Sequence, residues 1–217
     1  MSTMTRRRSL AALTGATAGL AGILAPTAAT AAPVPAVVPL APTAEDVAAA
    51  TPADTLRQNI VNIALAELQN GNRNHESGAA NCNFYTGWWG RGSSSGCPSG
   101  FRSEEWCADF AQYVWNKSGT YDADHVLNAG SRSFRDYGTT YGSWHGGDTK
   151  GIRPGDAVVW DDNTEGGRAG HVGIVAAING SDIWIVSGNY GNHVAKHRLS
   201  DVSGSLTYLG YSSPKPR

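Results

Sequence analysis

The positions of the aromatic residues constrain most strongly where this chain can build a core. All 7 Trp, 8 Tyr and 4 Phe lie at residue 84 or later. Between residues 32 and 53, by contrast, 13 of the 22 residues are Ala or Pro, a composition that cannot bury enough apolar surface to order itself. The sequence therefore predicts a linker over 32–53 and one folded domain over 54–217.

The first 31 residues have the three-part layout of an export signal. A basic head, Arg6 to Arg8, precedes an apolar stretch over residues 10–25, and small residues continue to Ala31. We expect a signal peptide over 1–31 and a secreted protein, extracellular or associated with the cell wall. The arginine pair is also compatible with the twin-arginine export route.

Charge and hydropathy exclude two classes of protein. The formal net charge is −1 at pH 7, so the chain has no basic surface for nucleic acid. After the export signal there is no apolar run of about 18 residues, the length that a membrane helix needs. We therefore expect neither a nucleic-acid partner nor a membrane span in the mature protein.

Two helices are predicted at the start of the folded domain. Thr51 suits an N-cap, apolar residues recur at helical spacing as far as Leu68, and Gly71 suits the end of the first helix. A polar loop rich in Gly and Ser is expected over residues 70–103. The second helix is expected to take Ser103 as its N-cap and to end at Gly119. Its buried face would carry Cys107, Phe110, Ala111 and Val114.

Strands are predicted in the second half of the domain, after a connection with Gly-rich segments around Gly138 and Gly146. The predicted strands are residues 157–160, 171–178, 183–187, 193–199 and 206–211. Helices followed by a series of antiparallel strands predict an α+β fold, with the N-terminal helices packed on an antiparallel sheet.

The three cysteines predict two different roles in an exported chain. Cys82 and Cys97 lie in the same loop among Gly and Ser, and a disulfide between them would stabilise that loop. Cys107 is left unpaired in the first turn of the second predicted helix, where the helix dipole lowers the pKa of a thiol. We interpret Cys107 as a nucleophile. The alternative is a small buried apolar residue on a helix face.

A thiol nucleophile needs a base, and His171 is the best candidate because it opens an apolar predicted strand. Asn179 and Gly180 predict a hairpin after that strand. A three-residue turn over 179–181 places Asn189 opposite His171, whereas a two- or four-residue turn does so only if a bulge corrects the register. Asn189 would then orient the ring of His171. The alternative for Asn189 is a turn residue.

Four segments of the domain occur in a characteristic order: EWCADFA at 105–111, RPGDAVVW at 153–160, GHVGIV at 170–175 and GN at 188–189. Together they resemble the CHAP family, the cysteine- and histidine-dependent amidohydrolase/peptidase domains of bacterial cell-wall hydrolases. The resemblance spans roughly residues 56–212. It implies a papain-like α+β fold and hydrolysis of amide bonds in peptidoglycan, by an N-acetylmuramoyl-L-alanine amidase or a peptide endopeptidase. It also implies Cys107 as nucleophile, His171 as base and Asn189 as the third catalytic residue.

Three aromatic residues are candidates for lining the substrate site. Tyr85 matches an upstream Asn-x-x-x-Tyr segment of the family, which suggests that it lines the substrate site. Trp106 and Trp160 are further candidates for that lining, with core packing as the alternative. Ser187 stands where many members have Glu, and no cluster of acids precedes the nucleophile as in calcium-binding members. We expect no metal, no cofactor, and a monomer whose partner is peptidoglycan.

Three alternatives remain for the function. A non-catalytic wall-binding or inhibitor module on the same fold would keep the aromatic residues but would not need Cys107. A metal-dependent peptidase would use His193 and His197, whose spacing lacks a third ligand and a catalytic Glu. A related thiol acyltransferase would use the same nucleophile with an amine in place of water as acceptor.

Overall fold

The structure is a computed structural model that describes residues 50–161, 170–202 and 206–217. The expected signal peptide over 1–31 and most of the expected linker over 32–53 lie outside the described residues. Among the helices in those described ranges, none combines the length and the apolar character that crossing a bilayer requires.

Helices and strands follow one another in an order that largely separates the two types. The helices of the described ranges are α1 (Pro52–Leu68), α2 (Phe84–Trp89), α3 (Cys107–Ser118), α4 (Ala123–Val126) and α5 (Arg132–Thr140). The strands are β1 (Cys82–Asn83), β2 (Arg102–Ser103), β3 (Trp144–Gly146), β4 (Ala157–Asp161), β5 (His171–Asn179), β6 (Asp182–Ser187), β7 (Ala195–Arg198) and β8 (Thr207–Ser212).

Six of these strands form one antiparallel sheet in the order β3-β8-β4-β5-β6-β7, and β1 and β2 form a separate short ribbon. One face of the large sheet packs against α1, α3 and α5 in the main apolar core. The opposite face carries a smaller apolar cluster around Trp160, Val175 and Ile185. The α+β prediction with an antiparallel sheet is therefore confirmed.

The first helix begins where the sequence predicts and ends slightly earlier. The side chain of Thr51 accepts a hydrogen bond from the backbone N–H of Asp54, and Pro52 occupies the first helical position. The helix ends at Leu68 with Gln69 as its C-cap, so Gly71 lies beyond it. Helix α1 thus starts two residues before Asp54.

The predicted loop over 70–103 contains regular structure that the sequence analysis missed. It holds β1, β2 and α2, which Asn83 caps by accepting a hydrogen bond from the Thr86 N–H. Ser103 is not a helix cap, because its backbone pairs with Cys82 in the short ribbon. Helix α3 begins at Cys107 itself and ends before Gly119 as predicted.

Helices α4 and α5 were also missed, since the Gly-rich segments suggested an irregular connection. Gly138 lies inside α5, where a side chain is excluded: a Cβ there would approach Ser212 Oγ to 2.1 Å. The glycine therefore allows α5 to pack closely on β8, and it does not end the helix.

The hairpin between β5 and β6 reaches the expected register by a different route. Asn179 pairs with Asp182, so the turn has two residues and not the three predicted. The register then shifts between Val175 and Ala177, a bulge that restores the predicted alternation. The pairing of Ile174 with Val186 is the register that the three-residue turn would have given, and β6 ends at Ser187, before Asn189.

The predicted disulfide between Cys82 and Cys97 is present, with their Cα atoms 5.4 Å apart. Cys82 is fully buried within the β1–β2 ribbon, and Cys97 lies in the exposed loop that precedes β2. The crosslink therefore attaches this loop to the core near the start of α3.

Replacing both residues, Cys82→Ala with Cys97→Ala, should lower the free energy of unfolding by about 3 kcal/mol, because the unfolded chain gains loop entropy. Urea denaturation of the folded domain measures this loss. Cys107→Ala is the matched control, since it removes a buried thiol but leaves the disulfide intact. A double variant no less stable than this control would contradict the prediction.

Candidate active site

Cys107 is the first residue of α3, and its sulfur lies against the chain on both sides of His171. The Sγ atom is 3.9 Å from the carbonyl oxygen of Gly170. The backbone N–H of Val172 lies on the other side of His171 and favours the thiolate form of the same sulfur, which lowers its pKa. The helix start and the beginning of β5 are therefore in direct contact at the proposed nucleophile.

The N-terminus of α3 has no side-chain cap. Trp106 occupies the N-cap position, but its side chain makes no capping hydrogen bond. Its indole N–H donates instead to Glu76 Oε1 at 3.2 Å, and its ring stacks on Tyr85. The first N–H groups of the helix thus have no side-chain acceptor from the cap residue, which leaves them suited to bind negative charge.

Burial raises the pKa of the Cys107 thiol to about 11, although the N–H groups of Val172 and Ala108 favour the thiolate. The nearby carboxylates of Glu105 and Asp109 contribute to this rise in the pKa of the thiol. The helix start therefore lowers the pKa of the thiol as expected, but the net shift of this pKa is upward. Removal of the sulfur from water outweighs the stabilisation that the backbone offers.

His171 is the first residue of β5 and is also buried. Its Nε2 atom is enclosed without a hydrogen-bond partner. The ring lies beside Trp160, with centroids 5.5 Å apart, and faces Tyr190 at 6.1 Å and His197 at 6.3 Å. Burial, together with a smaller effect of the positive charge that His197 can carry, lowers the pKa of His171 to about 3.

The thiol and the imidazole are therefore both neutral near pH 7. Within the described ranges, no hydrogen bond joins the sulfur of Cys107 to a ring nitrogen of His171. The two side chains come from elements that touch, but the structure does not contain a preformed thiolate–imidazolium pair. If Cys107 acts as a nucleophile, its deprotonation would have to accompany the attack instead of preceding it.

Asn189 does not make the expected hydrogen bond to His171 in the described part of the chain. Its backbone has a φ of 54°, which takes it out of the strand alternation that the prediction assumed. The side-chain amide donates instead to Glu105 Oε2 at 2.6 Å. A charged acceptor at the start of α3 thus holds this amide, although β6 is in the register that the prediction required.

Glu105 is a site residue that the sequence analysis did not identify. Besides Asn189, it accepts a hydrogen bond from the Asn81 amide at 3.2 Å. Asn81 lies next to Cys82 of the disulfide, so one carboxylate links the disulfide loop, the start of α3 and the end of β6. The sequence showed only an acid that suits the positive end of a helix.

The carboxyl group of Asp109, near Cys107, anchors α3 to the preceding segment of the chain. Asp109 is fully buried, pairs with Arg91 and accepts a hydrogen bond from the Thr86 hydroxyl at 2.8 Å. Burial and the charge of Asp109 raise the pKa of the neighbouring Glu104 to about 7. Arg91 therefore connects α3 to the segment that follows α2 through its ion pair with Asp109.

The three predicted lining residues are all buried and do not face an open groove. Tyr85 and Trp106 are 0% exposed and Trp160 is 2% exposed. Tyr85 donates to Glu67 Oε2 at 3.0 Å, and that carboxylate raises the pKa of its phenol beyond the effect of burial. These aromatic rings support the walls of the site by packing, which was the alternative for Trp106 and Trp160.

The histidines of the metal-dependent alternative have other partners. A ring nitrogen of His193 pairs with the Gly191 carbonyl oxygen at 2.8 Å, and His197 pairs with Ser187. Among the described residues, the set of side chains close enough to share a metal ion lies elsewhere and is solvent-accessible. Its members are Asp122, Asp124 and His125.

Alkylation of Cys107 by iodoacetamide should accelerate about tenfold per pH unit between about pH 6 and about pH 9, because only the thiolate reacts and its pKa lies above this range. Mass spectrometry of the non-reduced protein measures the rate. Cys107→Ser is the control and should stay unlabelled, because Cys82 and Cys97 are paired. A rate independent of pH near neutrality would indicate a preformed ion pair.

One comparison with known proteins places this site in a family. The family model of the CHAP domain matches residues 98–189, a range that includes Cys107, His171 and Asn189. The domains of this family are generally hydrolytic amidases and peptidases that act on peptidoglycan. No curated protein and no solved structure gives a significant match. The comparison therefore supports a CHAP domain over residues 98–189 of the chain.

Proposed function

We propose that this protein is a secreted cysteine hydrolase that cleaves amide bonds in bacterial peptidoglycan. The observation that carries the proposal is the contact of the Cys107 sulfur with the backbone on both sides of His171. This contact joins an uncapped helix start to a strand end, within the range that matches the CHAP domain. The disulfide is consistent with an oxidising location outside the cytoplasm.

In the proposed mechanism His171 acts as a general base on the neutral thiol. It removes the proton from Cys107 as the sulfur attacks the carbonyl carbon of the scissile amide, which requires a ring nitrogen to reach Sγ once substrate is bound. The backbone N–H of Cys107, at the uncapped helix start, is the first donor to the developing oxyanion. His171 then protonates the departing amine, and water hydrolyses the thioester with His171 again as base.

Asn189 remains in the proposal in a changed role. Because Glu105 holds its amide, Asn189 supports the end of β6 beside the start of α3 and does not bond the ring of His171 directly. We include it among the site residues as a positioning residue. The papain-like arrangement is proposed on the same grounds, since the Cys-bearing helix packs on the antiparallel sheet that carries the histidine.

The proposal is tested with the mature protein on purified peptidoglycan, followed by mass spectrometry of the released ends. Free lactyl ends would identify an amidase, and new amino-acid amino termini would identify an endopeptidase. Cys107→Ala should abolish product formation. An effect on cell walls that survives Cys107→Ala would instead support a binding or inhibitor module, and transfer to added amines would support an acyltransferase.

His171→Ala should lower the rate by between about 10²- and 10⁴-fold, because it removes the general base. His193→Ala is the matched control, since this histidine is exposed and its contacts lie outside the proposed mechanism. It should leave the rate within about twofold of the wild-type rate. Equal losses in both variants, reversed by added zinc, would favour the metal-dependent alternative.

A further inference from the structure

A second buried histidine lies on the same face of the sheet as His171. Ile185 of β6 pairs with Val175 on one side and with His197 on the other, so these three residues form one row across three strands. Because side chains alternate along a strand, His171, four positions before Val175, points to that same face. The centroids of the His171 and His197 rings are 6.3 Å apart.

The hydrogen bonds of His197 define which of its nitrogens carries the proton. Nδ1 lies 3.1 Å from the carbonyl oxygen of Arg198, and a carbonyl only accepts, so Nδ1 is the protonated nitrogen. In the neutral ring, Nε2 is then an acceptor. It lies 3.0 Å from Ser187 Oγ, and the serine hydroxyl therefore donates to it. Both side chains of this pair are buried.

The Ser187 hydroxyl of β6 lies against β5 at the position two residues after His171. A Cβ at Gly173, the next residue on the same face of β5, would approach Ser187 Oγ to 2.2 Å. The hydroxyl thus lies directly against the backbone of β5. The absence of a side chain at Gly173 is what allows this close approach.

Aromatic stacking supports His197 of the Ser187–His197 pair. The ring of Tyr190 stacks on His197, with centroids 4.0 Å apart and an interplanar angle of 11°. Tyr190 also faces His171 at 6.1 Å, and Trp160 of β4 packs on the remaining side of that ring. His171 is therefore enclosed by two aromatic rings and by a histidine that the Arg198 carbonyl fixes in one tautomer.

We propose that Ser187 and His197 are positioning residues for His171, and that they act as one unit which fixes the orientation of its imidazole. This inference rests on the proposed function. The unit consists of rigid groups on two neighbouring strands, so it restricts the rotation of a ring whose Nε2 has no hydrogen-bond partner of its own. Loss of either member would leave His171 in a space larger than its ring.

The charged and titratable groups that face this unit determine how it responds to pH. Tyr190 and Asp201 lie near His197, and the Asp201 carboxylate favours its protonated form, whereas burial opposes it. A positive charge on His197 in turn opposes protonation of His171. His197→Phe removes this repulsion, so the pKa of His171 should rise.

Steady-state kinetics of the mature protein on a soluble peptidoglycan fragment tests the proposal. Ser187→Ala and His197→Phe should each lower kcat by between about 10- and 100-fold with little change in KM, because a base displaced by about 1 Å loses its alignment. The double variant should be no slower than the slower single variant, since the two residues act as a unit. His197→Gln should recover part of the rate, because its amide oxygen can accept the serine proton.

The pH profile separates positioning from simple structural support. In His197→Phe the acidic limb of kcat/KM should move to higher pH, in line with the raised pKa of His171. His193→Phe is the matched control and should leave both kcat and the profile unchanged. Ser187→Ala removes a single oxygen atom and should leave the fold intact. It therefore tests the proposal even if His197→Phe fails to fold.

Long-range ¹H–¹⁵N NMR of the His171 ring gives a readout that does not depend on turnover. The nitrogen shifts and the titration of His171 should change in Ser187→Ala and His197→Phe, but not in His193→Phe. If these shifts change while the wild type hydrolyses no peptidoglycan, the proposed function fails and the positioning inference stands. Unchanged His171 shifts with an unchanged kcat per folded molecule would overturn the inference.

Discussion

The Cys107 sulfur is held between the Gly170 carbonyl oxygen and the Val172 N–H, and this contact joins the helical layer to the sheet at the candidate site. It requires α3 to begin at Cys107, so that the sulfur stands at the uncapped end of the helix. It also buries the thiol, and burial is what raises its pKa. The position of the Cys107 sulfur and the protonation state of its thiol are therefore consequences of the same packing arrangement.

A neutral Cys–His pair changes how such a site is expected to work. A preformed thiolate would be reactive toward any electrophile that reaches it, whereas a buried thiol beside a buried neutral imidazole becomes nucleophilic only when proton transfer accompanies attack. His171 lies in an enclosure of Trp160, Tyr190 and His197. Precise orientation of its ring therefore matters more than its charge in the free protein.

Local signals in the sequence were sufficient for much of the fold. The structure confirms the Thr51 cap, the end of α3 at Gly119 and the disulfide between Cys82 and Cys97. The failures concern contacts between distant segments. Asn189 bonds Glu105 across 84 residues, and the pairing of Ser103 with Cys82 moves the start of α3. Periodicity and capping rules describe neighbours along the chain, so they cannot predict these contacts between distant segments.

The central claim is that Cys107 forms a covalent acyl intermediate with the help of His171. Acid quenching of the mature protein during turnover of a peptidoglycan fragment, followed by mass spectrometry of the peptide that contains Cys107, tests it most directly. We predict an acyl group attached to Cys107 through a thioester, and its loss in His171→Ala. Undiminished hydrolysis by Cys107→Ala, with no acyl group on Cys107 in the wild type, would contradict the account.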